Sequence, residues 1–120
     1  MRAVVDTNIL VDYLQGLPPA RLELDKYQRP AISVITWMEV MVGATPQTAS
    51  ATRAFLDRFE LLGIDAATAE QAVKLRRCQR IKLPDAIIRA TAEVHDCLLV
   101  TRNTRDFDPA EPGVRVPYTV

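Results

Sequence analysis

Arg2-Ala-Val-Val-Asp-Thr-Asn-Ile9 is the stretch that decides how this chain folds, because a short apolar run meets helix-capping residues with no loop between them. Residues 2–6 form a β-branched run of the kind that fills a buried strand. Asp6, Thr7 and Asn8 are residue types that cap the amino end of a helix. The helix that follows carries its apolar side chains on one face, at Ile9, Leu10, Tyr13 and Leu14. A strand that passes directly into a helix predicts a sheet of parallel strands connected by helices.

The same alternation continues to the end of the chain. Further strands are predicted at residues 30–34, 61–64, 97–101 and 114–116. Further helices are predicted at residues 20–27, 36–42, 48–59, 65–79 and 84–95. Gly43 follows the predicted helix at residues 36–42, where a glycine can take the left-handed conformation that ends a helix. We expect a three-layer α/β/α sandwich around a mainly parallel sheet of roughly five strands, in one domain that spans residues 1–120.

Composition limits the class of protein. A hydrophobic content of 48% and a charged content of 25% are ordinary for a soluble globular domain. No apolar run approaches the roughly 18 residues of a membrane helix, and the amino terminus lacks the anatomy of a signal peptide. We therefore expect a cytoplasmic protein. The two cysteines and the single histidine have no spacing typical of a zinc site.

Four carboxylates occupy places where a predicted strand ends or the next helix begins: Asp6, Glu39, Asp85 and Asp106. In an open parallel sheet these places share one edge, the crevice beyond the carboxyl ends of the strands where ligands bind. Clustered acids repel one another, so they need a cation, and oxygen-only ligands favour Mg²⁺ or Mn²⁺. The first chemistry to expect is metal-assisted hydrolysis of a phosphodiester. Nearby small polar residues can orient carboxylates or hold water, namely Thr7, Asn8, Ser33, Thr101 and Asn103.

Each acid also has a purely structural interpretation. Asp6 can cap the first helix, and Asp85 can stabilise the first turn of its helix through the helix dipole. Glu39 lies three residues after Thr36, as the partner in a capping box does. Asp106 follows a residue of the capping type at the same spacing. Taken singly, each acid is more often structural than catalytic, but capping does not explain why all four fall at one edge of the predicted sheet.

Together these motifs resemble those of the PIN-domain ribonucleases, and most closely the small VapC-like toxins of bacterial and archaeal toxin–antitoxin pairs. The resemblance covers nearly the whole chain, and its anchors are Val-Val-Asp6-Thr7-Asn8-Ile-Leu, Ile-Ser33-Val-Ile-Thr36-Trp-Met-Glu39 with Gly43, Leu-Pro-Asp85-Ala-Ile-Ile, and Leu-Val-Thr101-Arg-Asn103-Thr-Arg-Asp106-Phe.

The resemblance implies a Mg²⁺-dependent endoribonuclease, with Mn²⁺ as a substitute ion. Its acidic quartet falls on Asp6, Glu39, Asp85 and Asp106. Asp6 and Asp85 are expected to contact the metal most directly, with Asp106 helping and Glu39 acting through water. The resemblance also implies a homodimer and a small cognate antitoxin, which lays a helix into a groove near the active site.

Two surface features are candidate binding regions. The basic segment, residues 74–82, carries five positive charges and no acid, although the whole chain balances 15 basic against 15 acidic residues. Such a run is usually a solvated helix face, but beside a metal site it also suits a phosphate backbone, with Arg77, Arg80 and Lys82 as candidate RNA contacts. Apolar side chains at Trp37, Met38 and Met41 suit a groove for a partner helix, whereas Leu10 and Leu14 are expected in the core.

Three other functions compete with a ribonuclease. A catalytically silent PIN-like module that binds RNA or protein usually lacks one or more of the acids, and all four are present here. A haloacid-dehalogenase-type phosphatase needs a second Asp two residues after the first, where this chain has Asn8. A nucleotide-binding Rossmann domain needs a glycine-rich turn after the first strand, which is missing.

Overall fold

The strands form a single sheet in which every pairing is parallel. The computed structural model describes residues 2–120, and the strands in these residues are β1 Ala3–Val5, β2 Ala31–Ser33, β3 Glu60–Leu62, β4 Leu98–Val100 and β5 Val114–Arg115. Their order across the sheet is β3-β2-β1-β4-β5. The chain therefore extends the sheet on one side of β1 and then returns to build the other side. The carboxyl ends of β1 and β4 meet where the strand order reverses, the usual location of a ligand site in such sheets.

Helices cover both faces of the sheet. Their bounds are α1 Thr7–Leu14, α2 Pro18–Leu24, α3 Val34–Val42, α4 Ala49–Leu56, α5 Ala66–Gln79 and α6 Leu83–Val94. Val4 packs in a core with α5 and α6, whereas its neighbours Ala3 and Val5 pack in a second core with α1 to α4. Because β1 is buried on both faces, its run is continuously apolar rather than alternating. The predicted three-layer α/β/α sandwich with a parallel five-stranded sheet is confirmed.

Several helix boundaries lie one to three residues from the predicted ones, and the third helix shows a local reason. The third helix begins at Val34, two residues early, because the Ser33 hydroxyl caps it and accepts a hydrogen bond from Ile35 N at 3.2 Å. Gly43 ends this helix in a right-handed conformation with φ of −78°, so the expected left-handed cap is wrong. Left-handed residues end other helices, as at Arg80, whose φ of 56° ends α5. Within residues 2–120, no helix has both the length and the apolar content needed to cross a membrane.

Candidate active site

Asp6 lies at the point where β1 passes into α1, and it is both a helix cap and a buried acid in the crevice. Its carboxylate accepts hydrogen bonds from Thr7 N at 2.7 Å and Asn8 Nδ2 at 3.2 Å. A third comes from Thr101 Oγ1, just beyond β4, at 2.7 Å. Burial raises the pKa of Asp6 above its ordinary value, although these hydrogen bonds oppose the shift. The capping interpretation is confirmed, and it leaves the carboxylate at the edge where the strand order reverses.

Asp85 lies in the first turn of α6, and its pKa responds to the other three acids. Its pKa is raised to about 6, first by burial and then by the charges of Asp6 and Asp106. The nearby carboxyl of Asp106 and the charge of Glu39 raise it further. The four acids thus form one electrostatic cluster, at the edge of the sheet that the sequence predicts.

Glu39 approaches this cluster from α3, on the solvent-exposed side. Thr7 Oγ1 donates a hydrogen bond to Glu39 Oε1 at 2.6 Å and lies 3.0 Å from Thr36 Oγ1. The capping-box interpretation of Glu39 is wrong, because α3 is capped by Ser33 and Thr36 is a buried residue inside the helix. Glu39 therefore makes no cap, and its side chain is hydrogen-bonded to Thr7 in the helix that Asp6 begins.

Asp106 is oriented by Asn103 within the turn that follows β4. Asn103 Nδ2 donates to Asp106 Oδ2 at 2.9 Å, and Asp106 N donates to Asn103 Oδ1 at 3.2 Å. Asn103 N in turn donates to Thr101 Oγ1 at 2.9 Å. The capping interpretation of this pair is correct in its geometry, although it closes a turn rather than a helix. Each of the four supporting polar residues, Thr7, Asn8, Thr101 and Asn103, is hydrogen-bonded to one of the acids.

The donor set fits a hard, partly hydrated cation. In the part of the chain that the structure describes, no three His, Cys, Asp or Glu side chains already surround one point as the ligands of an ion do. Mg²⁺ does not need such a cage, because it keeps several waters and takes only one or two carboxylates directly. Asp6 and Asp85 are the candidates for direct contact, since both are carboxyls whose pKa is raised and a cation would relieve their repulsion.

A further charged cluster supports the segment after β4, and sequence reasoning missed it. Asp12 is buried in α1 and receives two hydrogen bonds from the Arg102 guanidinium, at 2.6 and 3.0 Å. The Tyr118 hydroxyl donates to the same carboxylate at 2.8 Å. Burial opposes ionisation of Asp12, but these hydrogen bonds prevail and lower its pKa. The only local signal was an acid three residues after Ile9, on the apolar face of the predicted helix.

The basic segment lies beside the amino end of α6. Helices α5 and α6 pack antiparallel, since Gln71 Nε2 in the first half of α5 donates to Glu93 Oε1 near the end of α6 at 2.9 Å. The carboxyl end of α5 therefore flanks the turn of α6 that carries Asp85. Arg77, Arg80 and Lys82 are exposed, and none takes part in an ion pair among residues 2–120.

An apolar groove runs between α1, α3 and α4 and reaches the acids at Glu39. Its walls include Val11, Leu14, Val40 and Ala51. Leu10 is fully buried as expected, but Leu14 is 45% exposed and lines the groove, so its assignment to the core is wrong. Trp37, Met38 and Met41 do not line this groove, and the Trp37 ring lies under the Arg53 guanidinium at 5.3 Å.

Comparison with known proteins places this architecture in a family. The chain is a parallel α/β/α sandwich with an acidic cluster beyond β1 and β4, and the PIN domain family matches residues 3–111. The chain belongs to the PIN domain family. Ribonuclease VapC19 of Mycobacterium tuberculosis is 31% identical over 124 residues, covering 96% of this chain and 98% of that protein.

Two solved structures extend the likeness. The toxin–antitoxin complex from Klebsiella pneumoniae contains a chain that is 47% identical, with a TM-score of 0.93, over 98% of this chain and 99% of that one. The DNA-bound VapBC complex from Salmonella typhimurium contains a chain that is 26% identical, with a TM-score of 0.80, over 96% of each chain. The VapC-like character inferred from the sequence motifs is confirmed.

Proposed function

We propose that this protein is a Mg²⁺-dependent endoribonuclease and the toxin of a toxin–antitoxin pair. The observation that carries the proposal is the convergence of Asp6, Glu39 and Asp106 on Asp85, whose pKa they raise. A relative of the same length that is named a ribonuclease supports the substrate class. We also propose that the protein forms a homodimer, as the resemblance to VapC-like toxins implies.

The residues of the chain have distinct roles in this proposal. Asp6 and Asp85 hold the cation, while Asp106 and Glu39 complete the acidic surface around it. Bound Mg²⁺ or Mn²⁺ supplies the positive charge that attracts a phosphodiester and favours its hydrolysis. Thr101, Asn103 and Thr7 orient the carboxylates of Asp6, Asp106 and Glu39 respectively. Asp85 must lose its proton before it can bind the ion.

Metal dependence and pH dependence should therefore appear together. RNA cleavage is expected with Mg²⁺ or Mn²⁺ and should stop in excess chelator. Below the Asp85 pKa of about 6, bound protons compete with the ion, so Mn²⁺ affinity measured by calorimetry should rise about tenfold for each pH unit up to that point and then level off. Full activity in chelator would rule out the mechanism, and a Mn²⁺ affinity that is flat from pH 5 to 7 would rule out the role of Asp85.

The basic segment is proposed to contact the RNA backbone. Replacing Arg77, Arg80 and Lys82 by Gln should weaken RNA binding and lower the slope of log affinity against log salt by about 2, since each lost phosphate contact removes about 0.7 for a single strand. Gln tolerates the left-handed position of Arg80 no worse than Arg does, so the fold should be kept.

The matched control removes three positive charges at another place on the surface. Arg21, Lys26 and Arg29 are exposed and lie in or just after α2. Their replacement by Gln should leave the salt slope closer to that of the wild type. Equal slopes in the two triple variants would identify the basic segment as an ordinary solvated face.

The apolar groove is proposed to receive an amphipathic helix of the cognate antitoxin. Glu39 lies in its wall and also belongs to the acidic cluster. A helix seated in the groove can therefore place a basic side chain against the acids. Such an arrangement silences the enzyme by competing with the metal ion.

A further inference from the structure

Arg89 is a buried cation one helical turn after Asp85 in α6. The residue is only 6% exposed, and long charged side chains are rarely so buried unless they are paired. Asp85 and Arg89 are four residues apart, so they lie on the same side of the helix. None of the roles described for the acidic cluster uses this side chain.

The contacts of Arg89 lead to the turn that carries Asp106. Arg89 Nη2 donates to Glu111 Oε2, and the guanidinium lies over the Phe107 ring at 5.9 Å from its centroid. Within its own helix, Arg89 Nε donates to Glu93 at 3.4 Å. Phe107 is fully buried and directly follows Asp106. One side chain of α6 thus binds this turn both immediately after Asp106 and again at Glu111.

Stability of the fold alone does not explain why Arg89 is buried. Arg89 Nη1 is buried and has no hydrogen-bond partner among residues 2–120. A buried donor without a partner costs free energy, and an apolar residue in place of a buried ion pair is often neutral or stabilising. The geometry instead suits a residue that fixes the position of one segment against another.

We propose that Arg89 is a positioning residue, which anchors the Asp106 turn, residues 103–111, to α6 and so holds the Asp106 carboxylate against Asp85. The proposal rests on the proposed function in that these acids form the active site. Without the anchor, the hydrogen bonds from Asn103 would still orient Asp106 within the turn. The turn as a whole would be free to move away from α6.

Two variants and one control test the anchor in metal-free protein without RNA. Arg89→Leu replaces the guanidinium that pairs with Glu111 and lies over Phe107 by an apolar side chain. Glu111→Gln removes only the negative charge at the partly exposed end of the pair. Glu93→Gln is the matched control, because Glu93 contacts Arg89 but lies outside the turn. Amide hydrogen exchange at Asp106 and Phe107 should be about tenfold faster in the first two variants and unchanged in the control.

Metal binding supplies a second measurement. Mn²⁺ affinity by calorimetry should fall about tenfold or more in Arg89→Leu and Glu111→Gln, whereas the unfolding midpoint of Arg89→Leu should change little, because it replaces the buried cation by an apolar side chain. Wild-type exchange at Asp106 and Phe107 in both variants would show that burial of Phe107 alone holds the turn, and the proposal would be wrong. Equal acceleration in Glu93→Gln would also overturn it. If the wild-type protein cleaves no RNA, the proposed function fails, while the exchange rates still decide the anchor.

Discussion

Asp85→Asn is expected to reduce RNA cleavage by about 10³-fold or more, while the metal-free protein becomes no less stable than the wild type. The substitution keeps the size of the side chain but removes one of the two acids proposed to hold the metal. It also removes the charge that Asp6, Asp106 and Glu39 repel. Activity and stability should therefore move independently.

The pH dependence of stability gives this expectation a sign. The pKa of Asp85 in the folded protein is about 6, against an ordinary value of 3.8. The folded state thus binds the proton more tightly than the unfolded state, and this group stabilises the fold most fully below about pH 4. That contribution is lost as the pH rises through about 6. In Asp85→Asn the unfolding midpoint of metal-free protein should fall less between pH 5 and pH 7 than in the wild type.

A nearby acid outside the cluster provides the control. Asp108 is exposed, and its carboxylate accepts a hydrogen bond from Ala110 N at 2.9 Å. Asp108→Asn should keep full activity and the wild-type dependence of the unfolding midpoint on pH. Undiminished cleavage by Asp85→Asn would contradict the site assignment, whatever its stability.

Asp6→Asn should also abolish activity, but with a loss of stability. Asp6 accepts hydrogen bonds on both carboxylate oxygens, from Thr7 N on Oδ1 and from Asn8 and Thr101 on Oδ2. An amide can accept on only one atom, so at least one buried donor loses its partner at a cost of about 1 to 3 kcal/mol. Asp85 is therefore the cleaner position at which to separate catalysis from folding.

The parts of the site that lie at strand ends could be predicted from sequence because local pattern determines them. Ala3, Val4 and Val5 lead into Asp6 with no polar residue and no loop between them, so they predict both a buried strand and the place of the first acid. Once the strands are parallel, the sheet brings every such place to the same edge. Capping a helix and lying in the crevice are not alternatives for Asp6, because its carboxylate caps α1 and also lies at the crevice edge.

The parts that sequence could not predict depend on contacts between distant residues. Asp12 and Tyr118 are 106 positions apart, yet they share a hydrogen bond because α1 and the segment after β5 pack side by side. Arg115 likewise pairs with the buried Glu23 across 92 positions, and this pairing lowers the pKa of Glu23 to about 2. No local spacing signals such pairs, since the packing of whole elements determines them.

The residues that line the groove also could not be predicted from the sequence. Apolar composition marked α1 and α3 as candidate walls, but which residues face outward depends on how α4 packs against them. Leu14 lines the groove, whereas Trp37 lies under Arg53 instead. Tyr13, one residue before Leu14, stacks on Phe55 of α4 with ring centroids 4.8 Å apart. These contacts identify Leu14 as the side chain with which to test partner binding.

Expression of this chain alone is expected to arrest growth, and co-expression of its cognate antitoxin should restore it. Leu14→Asp should weaken antitoxin binding roughly 30-fold, the effect of losing one hot-spot side chain, so that arrest persists although the antitoxin is present. The active site should be unaffected, because Leu14 is an exposed apolar residue of the groove wall, and the side chains that orient the acids are Thr7, Asn8, Thr101 and Asn103. Leu22→Asp is the matched control, since Leu22 is 68% exposed on α2 and lies outside the groove walls.

In the antitoxin, charge reversal of one Arg or Lys near its carboxyl end should abolish protection, because that side chain is expected to face the acids. Complete neutralisation of Leu14→Asp, or equal escape by Leu22→Asp, would place the antitoxin elsewhere on the surface.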